Sequence, residues 1–236
     1  MMQWLEGLWT REGAGIDKDA PRPTGLALFF DVLRREWWEM VKLNILFLLF
    51  SLPVVTMPAA TLAMARVARS FAADENTYLL RDFLEAFHRY AWRGTVLIVL
   101  CAVMTGASGY AAVSYAQAAH LDIIYSFPLA ISVMVTAFLC LMSAYAIVMA
   151  VSYDPPISKI FRQAALLALL KPLPMLAALA FVGALWLAHI LFYPMSVFMP
   201  ATINFSLGMF AICFAARNIE AFAHQHGQRN SGDQPE

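Results

Sequence analysis

Apolar residues in this chain come in long runs, with the charged residues gathered between them. Uncharged intervals span 43–65, 94–121, 123–153, 163–170 and 172–216. A helix needs roughly 20 apolar residues to cross about 30 Å of hydrocarbon. The first three intervals are each long enough for one pass, and 172–216 is long enough for two. The stretch from Tyr193 to Pro200 divides that last interval, because Pro194 and Pro200 bracket a turn. Five hydrophobic segments result.

Two amphipathic stretches lie between them. In 79–93, Leu79, Leu80, Phe83, Phe87 and Tyr90 recur at three- or four-residue spacing, with Arg81, Asp82, Glu85, His88 and Arg89 on the other positions. Asp154-Pro155-Pro156 then supplies a cap and a proline start for a second helix carrying Ile157, Ile160, Phe161, Ala164 and Ala165, with Lys159 and Arg162 exposed. Both read as helices lying in a membrane interface. An offset of 78 residues aligns Phe83 with Phe161, Ala86 with Ala164 and Arg93 with Lys171. Either 79–153 and 157–226 are two copies of one unit, or two amphipathic helices resemble each other by chance. Residues 1–226 read as one membrane domain and 227–236 as a disordered polar tail.

Composition agrees with the pattern. The 236 residues are 61% hydrophobic and 14% charged, against about 25% charged in an average soluble domain. Sixteen Lys and Arg balance sixteen Asp and Glu, so there is no basic field to hold nucleic acid. Cys101, Cys140 and Cys213 lie far apart inside apolar runs and read as packing residues. The charged residues at the N-terminus do not fit a signal peptide, so that segment is expected to remain in the mature protein.

The distribution of Lys and Arg bears on topology. Five full crossings put six on one side and ten on the other, whereas a first segment that leaves on the side it entered puts all sixteen on one side. Pro53 and Pro58 offer a place for that return, since each removes a backbone donor and Pro58 suits a helix start. The fold expected is therefore an all-α polytopic membrane helix bundle. It has four full transmembrane helices, a proline-broken N-terminal segment that is a re-entrant hairpin or a fifth crossing, and two interfacial amphipathic helices. Both termini, 66–93 and 153–171 are expected to face the cytoplasm.

One part of the chain resembles a known family. Lys42-Leu43-Asn44-Ile45-Leu46, Ser51-Leu52-Pro53-Val54-Val55-Thr56, Pro58-Ala59-Ala60-Thr61 and Arg81-Asp82-Phe83-Leu84-Glu85-Ala86-Phe87 resemble the YesL family of bacterial membrane proteins, a domain of unknown function. The chain departs from that pattern at Met57-Pro58-Ala59, where the family tends to have Ile-Gly-Pro. The resemblance implies a several-pass bacterial inner-membrane protein, often encoded beside carbohydrate ABC-transporter components, and it implies no reaction. ABC-transporter membrane or ATPase subunits are the partners that follow from it.

Candidate chemistry is sparse. There is no HExxH, GxSxG, phosphate loop, CxxC or EF-hand spacing, and every carboxylate falls outside the apolar runs, so neither an enzyme nor a cofactor or metal site is expected. Asn44, Ser51, Thr56 and Thr61 fall in or beside the proline-broken segment. They either line a polar, partner-facing site or pair with backbone groups released by Pro53 and Pro58. His189 is the only ionisable residue deep in an apolar run and is either part of that site or a neutral residue bonded between helices. Arg81, Phe83, Glu85, Phe87 and Arg89 mark the 79–93 helix as a docking surface for a cytoplasmic or membrane partner. Trp37 and Trp38 suit a membrane–water interface. Gly106, Gly109 and Gly183, beside small residues, suit close helix packing or a homodimer face. Two functions of different class follow: a non-catalytic accessory or scaffold protein, and a small transporter with a polar site near the broken first segment.

Overall fold

The computed structural model describes residues 24–153 and 156–217; the 227–236 tail and most of the N-terminal region lie outside them. No strand occurs among the described residues. The helices are α1 (Leu26–Arg35), α2 (Trp37–Ser51), α3 (Met57–Ala72), α4 (Leu79–Ala119), α5 (Ser126–Tyr153), α6 (Ile157–Leu170), α7 (Pro172–Leu191) and α8 (198–217). α4, the α5 segment and α7 are long and apolar enough to cross a membrane. α8 follows the turn expected near 193–200 and carries a π-helical turn at Pro200–Asn204.

The first apolar segment is not one kinked helix. Its 15-residue α2 and 16-residue α3 are each roughly 22–24 Å long, short of the hydrocarbon thickness. A turn through Pro53 and Val54–Thr56 joins them, and Thr56 Oγ1 holds it by donating to the carbonyls of Phe50 at 2.6 Å and Pro53 at 2.7 Å. Arg35, just before α2, pairs with Asp74, just after α3, which places both open ends of the hairpin together. Glu36 and then Asp74 hold the Arg35 guanidinium above its ordinary range, by hydrogen bonding and charge. That group is charged at every working pH, so the exposed pair marks position rather than supplying a pH-dependent stability.

α3 is the centre of the molecule. Eleven of its sixteen residues are buried, six of them alanine, so neighbouring helices approach its backbone closely. Around it sit α2, the first half of α4, the second half of α5 and α8, with Phe83, Leu97, Tyr145, Met175 and Phe210 almost wholly enclosed. At the closest approach a Cβ added to Gly94 of α4 would lie 2.6 Å from Leu62 Cδ1. Beyond this core the spans emerge bare: only 11% of the apolar window of α4 and of α7 is buried, against 33% in α5. Bare apolar walls of this length suit contact with lipid.

The expectation of a separate interfacial helix at 79–93 is corrected here. That stretch is the first third of α4, one helix of 41 residues, because Arg93-Gly94 contains nothing that stops a helix. Its apolar face packs on protein, with Phe83 and Phe87 meeting Phe50 at ring distances of 5.4 and 5.0 Å. The second amphipathic stretch does form a separate helix, α6, which ends at Lys171. Close packing at the glycines is corrected in part, since a Cβ at Gly106 or Gly183 would meet nothing within 4 Å and one at Gly109 would touch only Thr136.

Candidate functional site

Polar side chains concentrate in one concavity, between the end of α3 and the start of α4. On α3, Arg66 and Ser70 stand one turn apart, and on α4 the residues Asp82, Glu85, Ala86 and Arg89 share one face by their spacing of three and four. The loop between the helices adds Glu75 and Asn76. Together with Arg81 and Tyr90 these groups line a cavity of about 240 Å³. Asp74 turns the loop in the left-handed region, at φ 58°, which aspartate tolerates better than most residues.

The start of α4 is fixed by its own side chains. Asp82 Oδ2 accepts the backbone N–H of Tyr78 at 2.9 Å, the usual way an acid near a helix start satisfies an orphan donor. The Arg81 guanidinium lies 5.6 Å from the centre of the Tyr78 ring and its Nε is 3.9 Å from Asp82 Oδ1. Arg66 Nη1 reaches the carbonyl of Val151 at 3.4 Å, linking the cleft to the end of α5. With three guanidinium groups against three carboxylates, the cleft can engage a polar surface of mixed charge. No group of three or more His, Cys, Asp or Glu suited to a metal occurs among the described residues.

The docking residues read from the sequence divide between two faces. Arg81, Glu85 and Arg89 are exposed at the cleft, whereas Phe83 is fully buried and Phe87 half-buried against α2. Arg66, Ser70, Glu75 and Asn76 were missed. The sequence pattern assigns 66–78 no role beyond an expected cytoplasmic side, and its one signal is that Arg66 and Ser70 fall on one helical face.

The other five candidates occupy separate places. Asn44 is fully buried and spends its whole amide on α8: Nδ2 donates to the carbonyls of Pro200 at 3.0 Å and Ala201 at 2.9 Å, and Oδ1 accepts the N–H groups of Phe205 and Ser206, both at 3.1 Å. The backbone it satisfies is that of the π-turn, not the one freed by Pro53 and Pro58. Thr56 caps the hairpin turn, and Thr61 donates to Met57 within α3 at 2.9 Å. Ser51 Oγ is buried without a hydrogen bond. His189 Nδ1 lies 3.0 Å from the Ser196 carbonyl and 3.1 Å from its hydroxyl, holding the turn between α7 and α8.

One buried polar residue escaped the sequence reading. Asn204, 1% exposed inside the π-turn, has no hydrogen bond at either amide atom. Leaving such a group unpaired costs about 1–3 kcal/mol, and π-turns recur where a helix carries function.

Comparison with known proteins adds one result. Residues 40–110 match the model of a family described as a protein of unknown function, DUF624. The matched stretch runs from within α2 through most of α4 and contains every residue that lines the cleft. No curated protein and no solved structure matches the chain.

Proposed function

We propose that this chain is a non-catalytic accessory or scaffold protein of the bacterial inner membrane, which docks a partner through the cleft between α3 and α4. The observation that carries the reading is the cleft itself. It gathers exposed charges of both signs on a rigid extension of a membrane helix, while Asn44, Thr56, Thr61 and His189 are engaged in holding the fold. In this reading the cleft, both termini and 153–171 face the cytoplasm, and the α2–α3 hairpin re-enters on that side. The charge asymmetry of the sequence and the Arg35–Asp74 pair support it. The partner class, membrane or ATPase subunits of carbohydrate ABC-type uptake, rests on the resemblance to the YesL family.

Two experiments test this. An impermeant thiol reagent should label Ala73→Cys only after the cytoplasmic side is opened, and labelling from the periplasm overturns the topology. Replacing Arg81, Glu85 and Arg89 together by alanine should leave insertion intact and abolish co-purification of an ABC permease or ATPase in mild detergent. Unchanged recovery with normal expression overturns the docking role.

Asn204 favours a second reading, a small transporter whose polar site is at the π-turn against Asn44. Flux of substrate in liposomes containing only this chain would support it over the scaffold.

A further inference from the structure

A second cavity, which shares no lining residue with the cleft, differs from it in chemistry. It has a volume of about 370 Å³ and walls that include Phe29 and Phe30 of α1, Pro174 and Phe181 of α7, and Phe214 of α8, with Arg217 the only charged residue lining it among the described residues. That volume falls at the lower end of ligand pockets, about 300–1,000 Å³. Leu26 and Phe30 at its edge are 76% and 62% exposed, so the apolar wall continues onto the surface of a membrane protein.

Three features make its mouth attractive to an anion. Arg217 sits 4.2 Å from the centre of the Phe214 ring, which holds the guanidinium over the apolar wall, and it makes no ion pair among the described residues. The first turn of α1 borders the cavity at Gly25 and Leu26, and that helix start has no side-chain cap. The first turn of α7 borders it at Pro174, and its start also has no side-chain cap. The uncapped start of α1 presents free N–H groups and the positive end of the helix dipole, whereas at α7 Pro172 and Pro174 carry no N–H and only the dipole contributes. Among the described residues no carboxylate lines the cavity to offset them.

We propose that this cavity binds an anionic glycerophospholipid, one acyl chain against Phe29, Phe181 and Phe214 and the phosphate beside Arg217 and the starts of α1 and α7. The shape and charge argue for one occupant that is apolar along its length and singly anionic at its end. Basic pockets at the membrane edge between helices hold lipid headgroups by the same combination. The largely bare wall of α7 lets such a molecule enter sideways from the bilayer. The site is independent of the polar cleft, and neither stands or falls with the other.

The test is native mass spectrometry of the full chain after exchange into equal amounts of phosphatidylglycerol and phosphatidylcholine with matched chains. One phosphatidylglycerol should be retained, at least fivefold over phosphatidylcholine, the threshold we set on the order of a 1 kcal/mol preference. Arg217→Gln should bring the two to equality, Arg217→Lys should keep most of the preference, and Ala177→Phe, which fills an exposed part of the wall, should remove both. Equal retention by the unaltered chain overturns the proposal without any variant. So does a preference that survives Arg217→Gln, or binding that survives Ala177→Phe. A disulfide between Leu5→Cys and Ala177→Cys in the full chain, or a lipid-free dimer, would mean that protein fills the cavity and would also overturn it.

Discussion

α4 and the pair α6–α7 begin from nearly the same pattern, an amphipathic stretch leading through a basic residue into an apolar span, yet they fold differently. In α4 the basic residue is Arg93 and Gly94 follows; the helix runs through without interruption for 41 residues, roughly 60 Å. In the second case Lys171 is followed by Pro172 and Pro174. A residue before proline is driven out of the helical region, and Lys171 sits at φ −136°, ψ 60°, so α6 and α7 take separate directions. The carbonyl of Lys171 is then caught by the hydroxyl of Tyr145, deep in α5, at 2.5 Å. At Pro200 the π-turn is caught in the same way by Asn44, and at Pro53 the turn is caught by Thr56. At each of these three proline breaks a polar side chain pairs with nearby backbone. The uninterrupted α4 needs no such partner and instead offers its polar groups to the cleft.

The largest effect should come from removing the most heavily used partner. Asn44→Leu removes the side-chain partner of four backbone groups in the core-facing π-turn and should cost about 3–5 kcal/mol, read as a fall in thermal unfolding temperature in detergent; a fall no larger than that of a surface control would sink the rule. Gly94→Pro tests the other side of the comparison. It should break α4 as Pro172 breaks α6 from α7, at about 3 kcal/mol, and should disrupt the cleft, whereas retained amide protection across 79–93 would mean that continuity is not what positions it. Tyr145→Phe should cost about 1–2 kcal/mol and raise hydrogen exchange at the start of α7 while leaving α4 unchanged. Thr56→Val should cost about 1 kcal/mol, confined to the hairpin turn. Asn204→Leu carries the opposite sign: it removes an unpaired buried amide and should raise the unfolding temperature, and a loss of stability would show that Asn204 is paired.

The spacing of apolar and charged positions was enough to read a helical membrane protein, the turn between α7 and α8, the break in the first segment and the exposed half of the cleft. Arg81, Glu85 and Arg89 were legible because helical periodicity places them opposite Phe83 and Phe87. Periodicity says which residues share a face but not what covers that face, so Phe83 and Phe87 were grouped with the docking surface when they belong to the core.

The run lengths and charges of the sequence determined which segments are long enough to cross a membrane, and Pro53, Pro172 and Pro194 marked three of the helix breaks, because both depend on local geometry and on the cost of unpaired backbone in a dry environment. Only the tertiary structure decided that α3 is the buried centre, that Asn44 serves a turn 156 residues away, and that Arg66 and Ser70 complete a cleft with α4. Those outcomes depend on which helix faces pack together, and each amphipathic or alanine-rich face has several partners that would bury it about equally well.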